Sequence, residues 1–172
     1  MATQLSSISH AADSLAECLR GEFSPERERT AMDAFLLENA HNYDFSNHVR
    51  VDFGEIFRQL TKQRFLLSSN RQQPRDCQLR VLQCMRVLMR DPAHRTLFSE
   101  LGGAQVLVRL FADLSDEHST QPHTDFVSEM LVETLSILKR FASLEALSPT
   151  QRPPPAGAAA AVAAASAATA AA

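Results

Sequence analysis

The alternation of apolar and polar positions is clearest between Leu79 and Phe111, which reads LRVLQCMRVLMRDPAHRTLFSELGGAQVLVRLF. The first half of this stretch predicts a helix over about residues 75–90. Cys77, Leu79, Val81, Leu82, Cys84, Met85, Val87, Leu88 and Met89 cover most of its circumference. Arg80, Gln83, Arg86 and Arg90 fall in one narrow strip. A helix that is apolar on most sides belongs in the middle of a packed layer, with neighbours on two flanks. Each large side chain so buried contributes about 1.5–3 kcal/mol. Asp91-Pro92 ends it, because the residue before a proline is pushed out of the helical region.

The same reading applied outward predicts helices throughout. Leu5, Ile8, Ala12, Leu15 and Leu19 recur at helical spacing until Gly21. Ser24-Pro25-Glu26 starts a second helix, with Ser24 available to cap free amides and Pro25 suited to the first turn. Met32, Phe35 and Leu36 are its apolar stripe. Residues 39–48 carry no period and predict a loop that packs Tyr43 and Phe45 onto the body. A third helix is predicted from about Asp52 to Leu67, with Phe53, Ile56, Phe57 and Leu60 on one face. After Pro92 comes a short helix with Leu97 and Leu101 inward, a break at Gly102-Gly103, and a helix with Val106, Leu107, Leu110 and Phe111 inward. Residues 115–124 predict a polar loop. The last helix runs from Asp125 to Phe141, capped by Thr124 or Asp125. Phe126, Val127, Met130, Leu131, Leu135, Ile137, Leu138 and Phe141 are its buried candidates, and Glu129, Glu133 and Ser136 its polar strip.

No strand pattern competes. The expected fold is all-α, an armadillo-like right-handed helical solenoid of two to three repeats, each of about 40–47 residues. Residues 1–50 are expected to form an N-terminal cap and loop, and residues 51–147 the repeats. Residues 148–172 form a proline- and alanine-rich tail expected to be disordered.

Composition narrows the functional classes. The 172 residues carry a net charge of −3, so no basic field points to nucleic acid. No apolar run reaches the roughly 18 residues of a membrane helix, and no signal peptide is evident. Three cysteines, Cys18, Cys77 and Cys84, without a CxxC pair are expected to be reduced thiols in a cytoplasmic protein. Cys77 and Cys84 share a helix face, as buried cysteines in a core do. His118 and His123 have no cysteine nearby to complete a zinc set, and His41 and His48 read the same way. No metal or cofactor is expected. Asp52-Phe53-Gly54 spells a motif that positions magnesium in kinases. Here it opens a helix with no phosphate cradle upstream, so Asp52 reads as a helix-start residue and Phe53 as core. The strip of Arg80, Gln83, Arg86 and Arg90, beside Glu129 and Glu133, is the candidate partner groove. Its alternative is a solvated face whose charges satisfy one another, and exposed pairs of that kind add little stability.

Between Leu37 and Ser143 the chain resembles the armadillo-containing region that precedes the catalytic domain in a NIMA-related (never-in-mitosis-A-related) serine/threonine kinase. The matching pieces are Leu37-Glu38-Asn39, Asn42-Tyr43, Glu55-Ile56-Phe57, Leu79-Arg80-Val81-Leu82, Leu88-Met89-Arg90-Asp91-Pro92 and Leu101-Gly102-Gly103. The resemblance implies a regulatory, protein-binding module and ciliary or centrosomal signalling. It carries no active-site residue over, because the chain lacks a glycine-rich phosphate loop, a VAIK-like lysine and an HRD loop. The expected partner is a protein, or a kinase domain in cis. The alternative is a fragment that only stabilises or positions that catalytic domain.

Overall fold

A computed structural model describes residues 2–21, 24–43, 45, 52–62, 74–120 and 125–145. The expected tail, His48 and His123 lie outside the described residues. Among the described residues seven α-helices follow one another: α1 (Ala2–Arg20), α2 (Pro25–Glu38), α3 (Phe53–Gln59), α4 (Arg75–Leu88), α5 (Pro92–Glu100), α6 (Gly103–Thr120) and α7 (Asp125–Glu145). No strand occurs among the described residues.

The apolar set of α4 is buried as its pattern requires, from Cys77 through Met89. Two flanks close over it, α2 on one side and α7 on the other. These three helices form one layer. A second layer is made of α1, α3 and α5, with α3 packing on both α1 and α5, and α6 packs on α5 and α7. In the chain α3 separates α2 from α4, α5 and α6 separate α4 from α7, and the core lies between the layers.

Aromatic rings join the two layers. Phe35 of α2 meets Phe53 of α3 at 6.3 Å between centroids, and Phe53 meets Phe45 edge-on at 5.0 Å. Phe57 stacks on His94 of α5 at 5.2 Å, and also meets Phe98 at 6.1 Å. Phe98 in turn meets Phe141 of α7 at 6.1 Å. Offset and edge-to-face pairs of this kind add about 0.5–1.5 kcal/mol each beyond area burial.

The turn between α4 and α6 is fixed by local chemistry. Asp91 caps α5 by accepting from the Ala93 amide at 2.9 Å, with Pro92 in the first turn. His94 is buried and donates from Nδ1 to the Leu88 carbonyl at 2.9 Å, satisfying an acceptor at the end of α4. Gly102 has φ of 70°, a left-handed conformation that an L side chain adopts only at a cost. Gly103 lies against the Phe98 ring, and a Cβ there would come within 2.1 Å of it.

Several expectations are corrected. In α5 the fully inward residues are His94 and Phe98, while Leu97 and Leu101 are half-buried, because the helix docks on α3 and α7 through its aromatic stripe. In α6 Leu107 and Leu114 are buried, whereas Val106, Leu110 and Phe111 are half-buried. Residues 115–120 are helical rather than looped. Leu114 anchors that end of α6, and an ion pair between Glu117 and Arg75 ties it to α4. In α7 Phe126 and Leu135 are exposed. They sit off the stripe of Val127, Met130, Thr134, Ile137 and Phe141 that faces the core. The α-helix at Phe53 runs to Gln59 and continues as a π-helical turn over residues 60–62, and the rest of the helix expected to Leu67 lies outside the described residues. Ser24 starts α2, but its side chain makes no capping bond. Phe45 packs into the body as expected, whereas Tyr43 stays exposed.

Asp52 caps α3 by accepting from the Glu55 amide at 2.9 Å, and Phe53 is buried. All three cysteines are buried free thiols, and burial pushes each above its ordinary pKa. Thiolate is the reacting form, so at neutral pH they should react with a thiol reagent only as fast as the fold opens. The expected readout is slow labelling that becomes immediate in denaturant; fast stoichiometric labelling of the native protein contradicts the sandwiched α4. Gly103→Ala should destabilise by about 1–3 kcal/mol in urea unfolding, since Phe98 must leave its place. An unchanged midpoint contradicts the close approach.

Candidate functional site

The strip on α4 is bounded by the helices that sandwich it. Arg80 forms an ion pair from Nε with Asp33 of α2, and its Nη1 donates to Gln83 at 3.1 Å. Arg86 lies 2.5 Å from Glu133 of α7. At the start of α4, Asp76 pairs with Arg29 of α2 at 2.8 Å. That bond holds the Asp76 carboxyl below its ordinary pKa. The face of α2, α4 and α7 is therefore laced with ion pairs that run from one helix to the next. Arg29 and Arg80 are partly exposed, so each pair adds little to stability.

Of the six groove candidates, the structure brings Arg86 and Glu133 together and sets Gln83 beside Arg80. Glu129 is exposed and one turn from Glu133 on α7. Arg90 is turned to another task. Its Nη1 donates to the carbonyls of Asn39 at 3.2 Å, Ala40 at 2.9 Å and Asn42 at 2.9 Å. Those are the acceptors just past the C-terminus of α2, where a cation is favoured by the helix dipole. The guanidinium also lies 4.8 Å from the centre of the Tyr43 ring. Asn39 is fully buried beneath it and donates from Nδ2 to the Phe35 carbonyl at 2.9 Å.

Two cations near this point escaped the reading of the sequence. Arg140 of α7 and Arg95 of α5 are both half-buried. Burial first, and then the charges of Arg90 and Arg86, with a further contribution from Arg95, lower the pKa of Arg140. Helical periodicity placed Arg140 only at the end of α7, and nothing local in the sequence connects it to Arg95. Among the described residues no group of three or more metal-binding side chains gathers. No helix there is long and apolar enough to cross a membrane.

This helical face, with no catalytic constellation on it, belongs to a chain similar to part of a protein kinase. Human serine/threonine-protein kinase Nek10 is 30% identical over 129 residues, which cover 73% of this chain and 11% of that protein. The mouse protein of the same name is 28% identical over 129 residues, 73% of this chain and 12% of its own length. The chain thus spans about a tenth of the relatives it matches. The kinase resemblance seen in the motifs stands, and it lies with a region that lacks the kinase motifs. No protein-family model matches the chain, and no solved structure matches it.

Two of the pieces that carry the resemblance meet in space. Arg90 of the LMRDP run holds the carbonyls of the Asn39–Asn42 segment, and Tyr43 covers it. Asp91 and Pro92 open α5, and Gly102 and Gly103 shape the joint behind Phe98. These positions make the joints between helices. Replacing Arg90 by alanine strands the acceptors of buried Asn39 and half-buried Asn42, with that of exposed Ala40 left to water, and charged hydrogen bonds are worth about 1.5–3 kcal/mol. Urea unfolding of Arg90→Ala should show a loss of that size. Gln83→Ala on the same strip should stay within about 0.5 kcal/mol of wild type. Equal losses for the two would contradict the special position of Arg90.

Proposed function

We propose that this chain is a non-catalytic protein-interaction module, a short armadillo-type right-handed solenoid of two to three repeats, related in role to the regulatory region of a NIMA-related kinase. In such an array the third helix of each repeat lines the binding face, and α2, α4 and α7 occupy that position. The observation that supports this reading is the sandwiching of α4 between α2 and α7, which leaves only a thin polar strip in contact with water. The partner face is the surface around Arg80, Gln83, Arg86, Arg90, Glu129 and Glu133. The occupant is a protein segment of mixed charge, or a kinase domain in the same polypeptide, in a cytoplasmic, ciliary or centrosomal setting.

A second reading, a helical region that only positions a catalytic domain, draws support from the same ion pairs. Arg80, Arg86 and Glu133 already have partners within the chain. A charge swap separates the two without unmaking the pair. Arg86→Glu combined with Glu133→Arg keeps an ion pair between α4 and α7 but reverses the local field. Affinity capture from ciliated cells with wild type and the swap, at equal helicity by circular dichroism, should recover partners with wild type that the swap loses. Identical recovery from both would rule out the face as a binding surface.

A further inference from the structure

The layer of long helices is finished differently at its two edges. At one edge α1 lies over α2. At the other, α7 is held by α4, α5 and α6, and its outer side carries Val132 at 62% and Leu135 at 50% exposure. Ser128, Val132, Leu135, Lys139 and Ala142 recur along that side at alternating steps of four and three residues, the spacing of a seam that meets a second helix. Ser128 is half-buried and the other four are exposed. Half-buried Leu131 and Leu138 border the seam on one side, and Glu129 and Ser136 border it on the other. Glu133 stays outside it, paired with Arg86 of α4. Among the described residues neither Glu129 nor Lys139 has an ion-pair partner within the chain.

A two-fold axis joins one surface to itself, so each residue must suit the one it meets on the other copy. When two copies of a helix run antiparallel about such an axis, residues equally far before and after the axis face each other. Val132 with Leu135, Leu131 with Leu138 and Glu129 with Lys139 all have midpoints within half a residue of Thr134. One axis at that level therefore sets apolar against apolar and carboxylate against ammonium at once. The antiparallel turn also brings each border of the seam onto the same border of the second copy, leucines on leucines and Glu129 on the side of Lys139. Parallel running would bring Lys139 against its own copy and the charged border against the leucines. The helix of an unrelated protein would owe no such match to this chain's own sequence. We propose that the outer side of α7 is a self-association surface, on which a second copy of the chain docks antiparallel through α7 about a two-fold axis level with Thr134. A pair of 21-residue helices, each roughly 30 Å long, makes a smaller contact than a standard stable interface. Association is accordingly concentration-dependent, with Kd in the micromolar range.

The test is sedimentation velocity of the whole chain from about 1 to 300 μM, with helicity followed by circular dichroism. The weight-average mass should rise from that of one chain toward twice that value and stop there. Val132→Glu with Leu135→Glu, both at exposed positions, should hold the chain monomeric at unchanged helicity and melting temperature. Lys139→Glu should weaken the dimer about tenfold or more, since it sets carboxylate against carboxylate, and adding Glu129→Lys should restore it. Leu37→Glu, at an exposed apolar position on α2 beyond α4, should leave association unchanged. A monomer at every concentration, growth past the dimer, a dimer that survives Val132→Glu/Leu135→Glu, or a charge reversal that fails to restore it would each overturn the proposal. A monomer destabilised by Val132→Glu/Leu135→Glu would overturn it too, and would put a segment of the same chain on the seam. Dimerisation and the loss of partners in the Arg86/Glu133 swap are separate readouts, so self-association and the interaction module stand or fall independently.

Discussion

The burial of α4 on two flanks is the constraint from which the arrangement follows. Its nine apolar residues from Cys77 to Met89 leave no face wide enough to meet water except the strip at Arg80, Gln83 and Arg86. A helix of that kind alone in solution would expose several residues whose burial is worth about 1.5–3 kcal/mol each. It is stable only with α2 and α7 on its sides and the α3–α5 layer behind it. Both neighbours then present a solvent-facing edge of their own, which is how a layer of parallel-stacked helices comes to have one continuous polar face.

The joints of this layer are made by a few residues with strict geometry. Arg90 gathers the loose end of α2, Asp91 and Pro92 start α5, and the glycines at 102 and 103 let α6 leave against the Phe98 ring. Of the motifs that resemble a region of a NIMA-related kinase, Asn42-Tyr43, Asp91-Pro92 and Gly102-Gly103 fall on these joints, while Glu55-Ile56-Phe57 and Leu79-Arg80-Val81-Leu82 lie within α3 and α4. Apolar positions exchange with one another at modest cost so long as volume is kept. A left-handed glycine or a cation satisfying three carbonyls has no such substitutes.

The polar face divides into two electrostatic regions. Near α2 and the middle of α4, three arginines meet carboxylates across a helix boundary, Arg29 with Asp76, Arg80 with Asp33 and Arg86 with Glu133. Such pairs set register between helices more than they add stability. Toward the end of α4 the pattern changes: Arg90 donates to the carbonyls of Asn39, Ala40 and Asn42 instead of to a carboxylate.

The sequence by itself determined the helical class, the central place of α4, the stop at Asp91-Pro92 and the capping role of Asp52. Each follows from spacing or from backbone rules that act within a few residues. Only the tertiary structure decided that Phe98 and His94 rather than Leu97 face the core, and that Leu135 faces water. Both depend on which neighbour a helix docks against, and two faces of α5 and α7 carried plausible apolar stripes. The structure alone also turned Arg90 away from the strip and into the end of α2. It also put Arg140 under the charge of Arg95, 45 positions earlier in the chain, which no local period can encode, because electrostatic neighbourhood is a property of packed helices and not of sequence distance.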